Sequence, residues 1–452
     1  MLTAKNLTVQ RGKKILLKEF NLTIKPGEIL EITGANGVGK TSLLRTISSI
    51  TPPANGEILI DALCTAYIPT NGGYRHELTA MQILSDFLDD CDSTILTRID
   101  KFGLQEIKHK PLLSLSDGQK KRVMLATIEV KEKSLLIIDE PFNALDKQGL
   151  RLLLDLFLNI CSKGGIVIIA THLPLKTIFE NTRDTTEFDS LKIKSLEITP
   201  MEPKGWKFFN GAKYITAQGP IKVDQKNASN FHNEFARNLM REFQLVKFQF
   251  SDVSWPAILF LMIVSVIPIG ATADSKSFMN IASGIFWVAT LLVMISASNR
   301  LLQPEFNQGV IEQLIVKKRS LSIYCFTKAM IHWVLVGLPL SLLSLPLSML
   351  YGLPGFAGLE LAKSLAIGSL FISGILIFFS ALGLMARQAQ TVISLLSLPI
   401  LIPLMIFGSA IVGSTLDGAS VRNLYMLLTS MSLFCILTVP FICEKLIVLA
   451  TE

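Results

Sequence analysis

The hydrophobic positions divide the chain into two parts with different patterns. Residues 1–250 alternate short apolar runs with charged segments, which is typical of a globular domain. Residues 255–443 contain long apolar runs with almost no charge, which is typical of membrane-spanning helices. The pattern therefore predicts one soluble domain followed by one membrane domain.

The apolar part predicts six membrane-spanning helices. Each is long enough for a bilayer of about 30 Å, the first marginally so. The connections at 299–328 and 387–390 carry more Lys and Arg than those on the other side. Because basic connections stay in the cytoplasm, we expect the N-terminal domain and both termini to be cytoplasmic. The six predicted helices lie near residues 255–271, 281–298, 329–350, 364–386, 391–413 and 424–443.

Composition agrees with this division. The 452 residues are 50% hydrophobic, with a mean hydropathy of +0.47, well above that of an ordinary soluble domain. The first residues lack the apolar core of a signal peptide. The six cysteines are scattered without a C-x-x-C pair, so buried free thiols are expected rather than disulfides or metal ligands. No nucleic-acid-binding module is present, and no nucleic-acid partner is expected.

More than half of the net charge of +7 lies in residues 201–250, which have eight Lys or Arg against four Asp or Glu. Within this stretch, aromatic and aliphatic residues recur at helical spacing between basic ones, which predicts an amphipathic helix on the membrane surface. An ordinary core helix is the alternative. The predicted divisions are a soluble domain at 1–200, a linker at 201–230, the amphipathic helix at 231–250 and the membrane domain at 251–452.

A phosphate-binding loop is predicted at "GANGVGKT", between the predicted strand "EILEIT" and the predicted helix "KTSLLRTISSI". It fits the pattern G-x-x-x-x-G-K-[ST]. Glycines let the backbone wrap the phosphates, Lys40 supplies a positive charge, and the Thr41 hydroxyl is a Mg²⁺ ligand. The residues expected to contact nucleotide here are Gly34, Ala35, Asn36, Gly37, Val38, Gly39, Lys40, Thr41 and Ser42.

Two further strand ends carry candidate catalytic residues. The buried strand "LLIIDE" ends in Asp139, predicted to hold Mg²⁺, and Glu140, predicted to be the general base that polarises the attacking water. The strand "GIVIIATH" ends in His172, predicted to contact the γ-phosphate. Ligands bind at the carboxyl ends of parallel strands, which favours a shared site.

A second helix start, "LSDGQKKR", follows the phosphate-binding loop by some 80 residues. The order "GANGVGKT", "LSDGQKKR", "LLIIDEPFNALD", "ATH" resembles the motif order of ABC transporter ATPases over roughly residues 1–200. The resemblance implies that Ser116, Gly118 and Gln119 close over ATP held by a second copy, and that Asp146 crosses the same interface. Two copies then form two complete sites by symmetry.

The sequence also departs from that family. A glutamine that senses Mg²⁺ usually lies between the first two motifs, whereas "YIPTNGGYRHELTA" offers Thr70 or Asn71. Asn71 keeps the amide on a shorter side chain and is our candidate Mg²⁺ ligand. The aromatic residue that stacks on adenine is missing near residue 11, where Arg11 is the candidate.

Two features of the apolar part are candidates for function. The polar connection at 303–320 predicts a short helix whose apolar face docks on the ATPase, with a solvated loop as the alternative. An intramembrane histidine, His332, is either a heme ligand or, as we prefer, an interfacial residue beside Trp333. The expected docking face consists of Val310, Ile311, Leu314 and Ile315.

The apolar part also resembles a named family. The stretches "GIFWVATLLVMISASNRLLQPEFNQGVIEQLIV", "KAMIHWVLVGLPLSLLSLPL" and "SLLSLPILIPLMIFGSAI" resemble CcmB, the membrane subunit of the bacterial heme exporter, and the N-terminal part is similar to CcmA, its ATP-binding subunit. The resemblance implies an ABC-2-like exporter fold in the bacterial inner membrane, with ATP and Mg²⁺ as cofactors. It also implies work with CcmC, CcmD and the heme chaperone CcmE.

Three functions remain open from the sequence. In the first, ATP-driven closure of a dimer moves heme across the membrane. In the second, closure releases the heme-loaded chaperone CcmE without moving a substrate. The third is an ABC-2-type exporter of another small molecule, lipid or drug.

Overall fold

A computed structural model of the chain contains two compact units. Unit 1 comprises Met1–Lys226, Glu305–Arg319 and Thr451–Glu452, and unit 2 comprises Asn227–Pro304 and Ser320–Ala450. The predicted linker at 201–230 lies outside the described residues, and the predicted domain boundaries stay predictions. The structure describes residues 1–12, 14–62, 64–88, 92–143, 145–180, 191–198, 235–242, 245, 250–270, 275–298, 301–385 and 396–451.

Unit 1 is built on two sheets. Their strands are β1 (Leu2–Arg11), β2 (Lys14–Ile24), β3 (Glu28–Thr33), β4 (Asn55–Ile60), β5 (Cys64–Ile68), β6 (Ser134–Asp139), β7 (Ile166–Ala170) and β8 (Lys192–Glu197). The parallel sheet has the strand order β5-β6-β7-β3-β8, and the antiparallel sheet has the order β2-β1-β4. The central strands β6 and β7 are buried on both faces, as a parallel sheet covered by other elements requires.

Three helices of unit 1 begin at polar residues whose side chains cap them, Thr79, Ser116 and Asp146. Thr79 and Ser116 each form a capping box with the glutamine three residues later, which satisfies free N–H groups at the helix start. Leu43, Leu44 and Ile47 of the first helix are buried in the same core as the two sheets. The helices are α1 (Lys40–Ile47), α2 (Ala80–Phe87), α3 (Asp92–Lys101), α4 (Asp117–Ala126), α5 (Lys147–Ser162) and α6 (Leu175–Glu180).

Unit 2 is helical. Among the described residues, five helices are long and apolar enough to cross a membrane, and a shorter apolar helix at Ser254–Ile269 coincides with the predicted first span. Residues 235–242 are helical, within the predicted amphipathic helix. The remaining elements are α7 (Phe250–Gly270), α8 (Ser275–Ser298), α9 (Gln303–Asn307), α10 (Val310–Val316), α11 (Leu321–His332), α12 (Leu338–Ser348), α13 (Gly355–Gly383), α14 (Leu398–Leu416) and α15 (Arg422–Thr451).

The helix that contains the third predicted span begins earlier than that span, which was predicted near residues 329–350. Helix α11 begins at Leu321, because the Ser320 hydroxyl accepts a hydrogen bond from the Ile323 N–H and caps it. Lys328, predicted to lie in a connection, is therefore inside the helix. Its ammonium group forms a buried ion pair with Glu242 at 2.8 Å, which compensates for the burial of the charge.

His332 is buried and leads into a π-helical turn over Trp333–Gly337. Its Nδ1 lies 3.0 Å from the Ser373 hydroxyl, and the Trp333 indole N–H donates to the Ala366 carbonyl at 2.8 Å. This places the histidine among packed helices rather than at an exposed edge. A heme-binding role for His332 stays an untested alternative.

The buried side chain of Trp287 depends on two glycines. A Cβ at Gly408 would lie 1.9 Å from Trp287 Cζ2, and one at Gly368 would lie 2.2 Å from Trp287 Cη2. Because close-packed interiors do not absorb an added methyl group freely, the two glycines fix the position of the indole.

We therefore expect Gly408→Ala to lower the free energy of unfolding by about 1–3 kcal/mol. The melting temperature of the purified protein should then fall by several degrees. The matched control is Gly413→Ala in the same helix, where nothing lies within 4 Å of the added Cβ. Equal melting temperatures for both variants would show that Trp287 does not need this space.

Candidate nucleotide-binding site

Three neighbouring strands bring the predicted motifs together. In the parallel sheet, β7 lies between β3 and β6. The phosphate-binding loop follows β3, His172 follows β7, and Asp139 ends β6. Because the carboxyl ends of parallel strands meet at one edge, these residues converge on one site.

The loop from Gly34 to Gly39 depends on glycine for its shape. Gly34, Gly37 and Gly39 all have positive φ, and a Cβ at Gly34 would lie 2.3 Å from the Ile198 carbonyl oxygen. The buried Lys40 ammonium group donates to the Gly34 carbonyl at 2.6 Å and lies 3.4 Å from the Ala35 carbonyl. The loop thus curves around the lysine, as binding of phosphate oxygens requires. Ala35, Asn36, Val38 and Ser42 lie on the same loop and at the start of α1.

Oxygen ligands suited to Mg²⁺ lie beside this loop. The Thr41 hydroxyl donates to Asp139 Oδ2 at 2.6 Å, and the Thr70 hydroxyl donates to the same oxygen at 3.1 Å. Asp139 is only 2% exposed; this burial raises its pKa, and the two hydroxyl bonds oppose the rise. Thr41 and Asp139 therefore fit a Mg²⁺ ion, which takes hydroxyl, carboxylate and water oxygens.

Glu140 lies between a cation and the predicted histidine. His172 Nδ1 is 2.7 Å from Glu140 Oε2, and Lys40 Nζ is 3.7 Å from Glu140 Oε1. The residue has a φ of 51°, a left-handed conformation that is uncommon outside glycine. A carboxylate held between these two groups is suited to orient and deprotonate a water molecule.

Sequence reasoning missed Lys121, whose ammonium group donates to the Glu140 backbone carbonyl at 3.3 Å. Burial lowers the pKa of Lys121, while Asp139 and Glu140 oppose that shift. The lysine connects helix α4 to the end of β6. Its only sequence signal is the pair of lysines after "LSDGQ", which looks like an ordinary solvated helix face.

The residues of the second helix start are at the surface. Ser116 is exposed, its hydroxyl accepts from the Gln119 N–H at 3.3 Å, and the Gln119 side chain accepts from the Ser116 N–H at 3.0 Å. Gly118 lies between them. Asp146 is also exposed and caps α5 by accepting from the Gly149 N–H at 2.8 Å. These exposed helix starts are accessible to a second copy.

The structure distinguishes between Thr70 and Asn71. Thr70 contacts Asp139, whereas the Asn71 amide donates to the Asn307 carbonyl at 2.9 Å. Asn71, predicted as a Mg²⁺ ligand, is therefore directed away from the Asp139 carboxylate. Its side chain is one methylene shorter than glutamine, and its amide is already hydrogen-bonded to residue 307.

Residues 305–319, here called the coupling segment, belong to unit 1 and dock on it as predicted. Val310, Ile311 and Leu314 are buried, and Ile315 packs against the core of unit 1.

The coupling segment is also held by three charged contacts. Arg75 donates a hydrogen bond to Glu305 at 2.5 Å, Arg319 lies 3.4 Å from Asp86, and Lys317 lies 3.7 Å from the centre of the Phe87 ring.

Removing the lysine of the loop tests this geometry. We expect Lys40→Ala to weaken ATP binding about 10- to 100-fold, because a charged hydrogen bond to phosphate contributes about 1.5–3 kcal/mol. Titration with a fluorescent ATP analogue measures the change. Lys18→Ala, at an exposed lysine paired with Glu19, is the control and should bind as wild type. Unchanged binding by Lys40→Ala would contradict the role given to the loop.

Comparison with known proteins agrees with both parts of the chain. The family model described as "ABC transporter" matches residues 17–143, and that described as "CcmB protein" matches residues 233–448. The N-terminal part is 38% identical over 188 residues to the cytochrome c biogenesis ATP-binding export protein CcmA of Vibrio cholerae, covering 38% of this chain and 91% of that protein. The CcmA of Mannheimia succiniciproducens is 35% identical over 182 residues, covering 37% of this chain and 85% of that protein.

The fold and the site thus define an ATP-hydrolysing ABC transporter ATPase, which binds ATP and carries a membrane-associated helical part. Within that class, the chain belongs to the CcmA family in its N-terminal part and is joined to a CcmB domain, as in a CcmA–CcmB fusion.

Proposed function

We propose that this chain is both the ATPase and the membrane subunit of a heme-exporter-type ABC complex for the biogenesis of c-type cytochromes. The observation that carries the proposal is the continuity of one chain. The nucleotide site and the CcmB domain lie in one chain without a subunit boundary, and the coupling segment, which lies within the CcmB match at 233–448, packs in unit 1. The names of the CcmA relatives support the link to cytochrome c biogenesis.

The residues of the site have distinct roles in ATP hydrolysis. The glycine loop and Lys40 hold the phosphates, and Thr41 and Asp139 would hold Mg²⁺, which would supply positive charge beside the phosphate oxygens. Glu140 accepts a proton from a water molecule while the oxygen of that water attacks the γ-phosphate. His172 orients the Glu140 carboxylate, and we expect it to contact the γ-phosphate.

Each site is completed by a second copy of the chain. Ser116, Gly118 and Gln119 close over the γ-phosphate bound by the partner, and the exposed Asp146 lies at the same interface. Closure excludes water that would otherwise screen the charges. Each copy supplies the phosphate-binding loop of one site and the helix start at Ser116 of the other, so a symmetric dimer has two complete sites.

The complex functions in the bacterial inner membrane with the ATPase on the cytoplasmic side, together with CcmC, CcmD and the chaperone CcmE. Closure of the dimer moves the coupling segment, whose chain continues directly into unit 2 at Ser320. The membrane domain uses this movement either to carry heme or to release heme-loaded CcmE.

Deletion of the gene tests the proposal, followed by heme staining of c-type cytochromes. We expect these cytochromes to be lost, restored by the wild-type gene and not restored by Glu140→Gln. Intact c-type cytochromes in the deletion strain would favour an exporter of another small molecule, lipid or drug. In proteoliposomes, ATP-dependent heme flux by this chain alone would exclude a pure release function.

A further inference from the structure

Helix α1 carries nucleotide-binding residues at its first turn and a partly buried arginine one turn later. Lys40 and Thr41 begin the helix, and Arg45 follows Thr41 by four residues, on the same face. Any shift of the first turn on phosphate binding therefore also moves Arg45, because eight residues of α-helix behave as a rigid rod.

Arg45 forms an ion pair with the coupling segment. Its Nη2 donates to Oε1 of Glu312, which lies in α10 and is only 7% exposed. The contact is separate from the hydrogen bond between Asn71 and Asn307. The coupling segment is thus hydrogen-bonded to Asn71, whose neighbour Thr70 contacts Asp139, and also to Arg45 of the phosphate-binding helix α1.

The ion pair is only half formed. Arg45 Nε and Glu312 Oε2 are both buried, and neither has a hydrogen-bond partner among the described residues. A guanidinium and a carboxylate have a stronger arrangement with two parallel hydrogen bonds, which would satisfy both atoms. Because buried polar atoms without partners are costly, a small shift of α1 against α10 that joins them is favourable.

The pair also lies within the electrostatic field of the nucleotide site. Burial raises the pKa of Glu312, Arg45 opposes the rise, and the Asp139 carboxylate adds to it. The negative charge of Asp139 therefore disfavours the ionised form of Glu312, which is the form that pairs with Arg45.

We propose that Arg45 and Glu312 are positioning residues that transmit nucleotide occupancy from α1 to the coupling segment, by changing from one hydrogen bond to two when ATP fills the phosphate-binding loop. This inference rests on the proposed ATP-driven function. It adds a route through the phosphate-binding helix to the contact at Asn71.

Two variants of the full chain in lipid nanodiscs test the inference. Arg45→Lys keeps the charge but cannot form the two parallel hydrogen bonds, and Glu312→Gln keeps the size but loses the charge. The readouts are the KM and kcat for ATP and the change in hydrogen–deuterium exchange of peptides from 305–332 on adding ATP and vanadate. Lys318→Gln, an exposed cation on the same segment, is the control.

In both variants we expect the nucleotide-dependent change in exchange to fall to about a quarter or less of the wild-type change, with KM for ATP within about twofold. A double variant, Arg45→Glu with Glu312→Arg, swaps the two charges. It should retain more of the nucleotide-dependent change in hydrogen–deuterium exchange than Arg45→Glu alone. A merely structural role would alter KM and the melting temperature instead.

The outcomes separate the two proposals. A wild-type protein without any nucleotide-dependent change would overturn both the proposed function and this inference. A normal wild-type response that Arg45→Lys and Glu312→Gln retain in full would overturn the inference alone. If Glu312→Gln does not fold, Arg45→Lys decides, since it keeps the buried charge pair.

Discussion

Glu140→Gln is expected to lower the rate of ATP hydrolysis about 100-fold or more, because general-base catalysis typically contributes 10²–10⁴-fold. The amide has nearly the same shape as the carboxylate but cannot accept a proton from water. ATP binding should persist, since Lys40 and the glycine loop are unchanged. The variant should therefore accumulate as a closed dimer with bound ATP, detectable by size-exclusion chromatography with nucleotide analysis.

The matched control is Glu129→Gln, at a carboxylate paired with Lys131 on the surface, and it should turn over ATP as wild type. Normal hydrolysis by Glu140→Gln would remove Glu140 as the base. Loss of hydrolysis together with loss of ATP binding would instead indicate damage to the loop around Lys40.

Ser116→Arg is expected to abolish hydrolysis at the ATP site of the opposite copy rather than at its own. Ser116 is exposed, so the arginine has room in a single copy, but a closed dimer has no space for it against the γ-phosphate. Ser116→Ala separates the loss of the helix cap, which costs about 1 kcal/mol, from this steric effect.

Mixed dimers make the prediction specific. Pairing Lys40→Ala with Ser116→Arg leaves one intact site, formed by the loop of the second chain and the helix start of the first, and should hydrolyse ATP. Pairing wild type with a chain that carries both substitutions leaves no intact site and should be inactive. Equal rates in the two mixtures would contradict completion of each site by the partner.

The phosphate-binding residues follow from the sequence because the pattern encodes local geometry. Gly34, Gly37 and Gly39 have the positive φ that the loop requires, and Lys40 follows at a fixed distance. The convergence of Asp139 and His172 also follows, because the ends of neighbouring parallel strands always meet at one edge of the sheet.

Contacts between distant residues do not follow in this way. Thr70 and Asn71 carry equally suitable side chains, and only the fold shows that one faces Asp139 and the other the coupling segment. Lys121 and Arg45 look like solvated helix charges in the sequence. Their partners, the Glu140 carbonyl and Glu312, are 19 and 267 residues away.

The start of the helix that contains the third predicted span could not be predicted from the sequence for a related reason. Lys328 made the first turns of α11 look too polar to belong to a membrane helix. Its charge is balanced by Glu242, 86 residues earlier, so the helix extends back to the cap at Ser320. A hydropathy pattern has no access to such a pair.

The central claim is that ATP bound by one copy is hydrolysed only when a second copy seals it. The most direct test is the rate of ATP hydrolysis per chain in nanodiscs that contain one copy, compared with nanodiscs that contain two. We expect single copies to bind ATP but to hydrolyse it at about one hundredth of the two-copy rate or less. Equal rates per chain in both preparations would contradict the account.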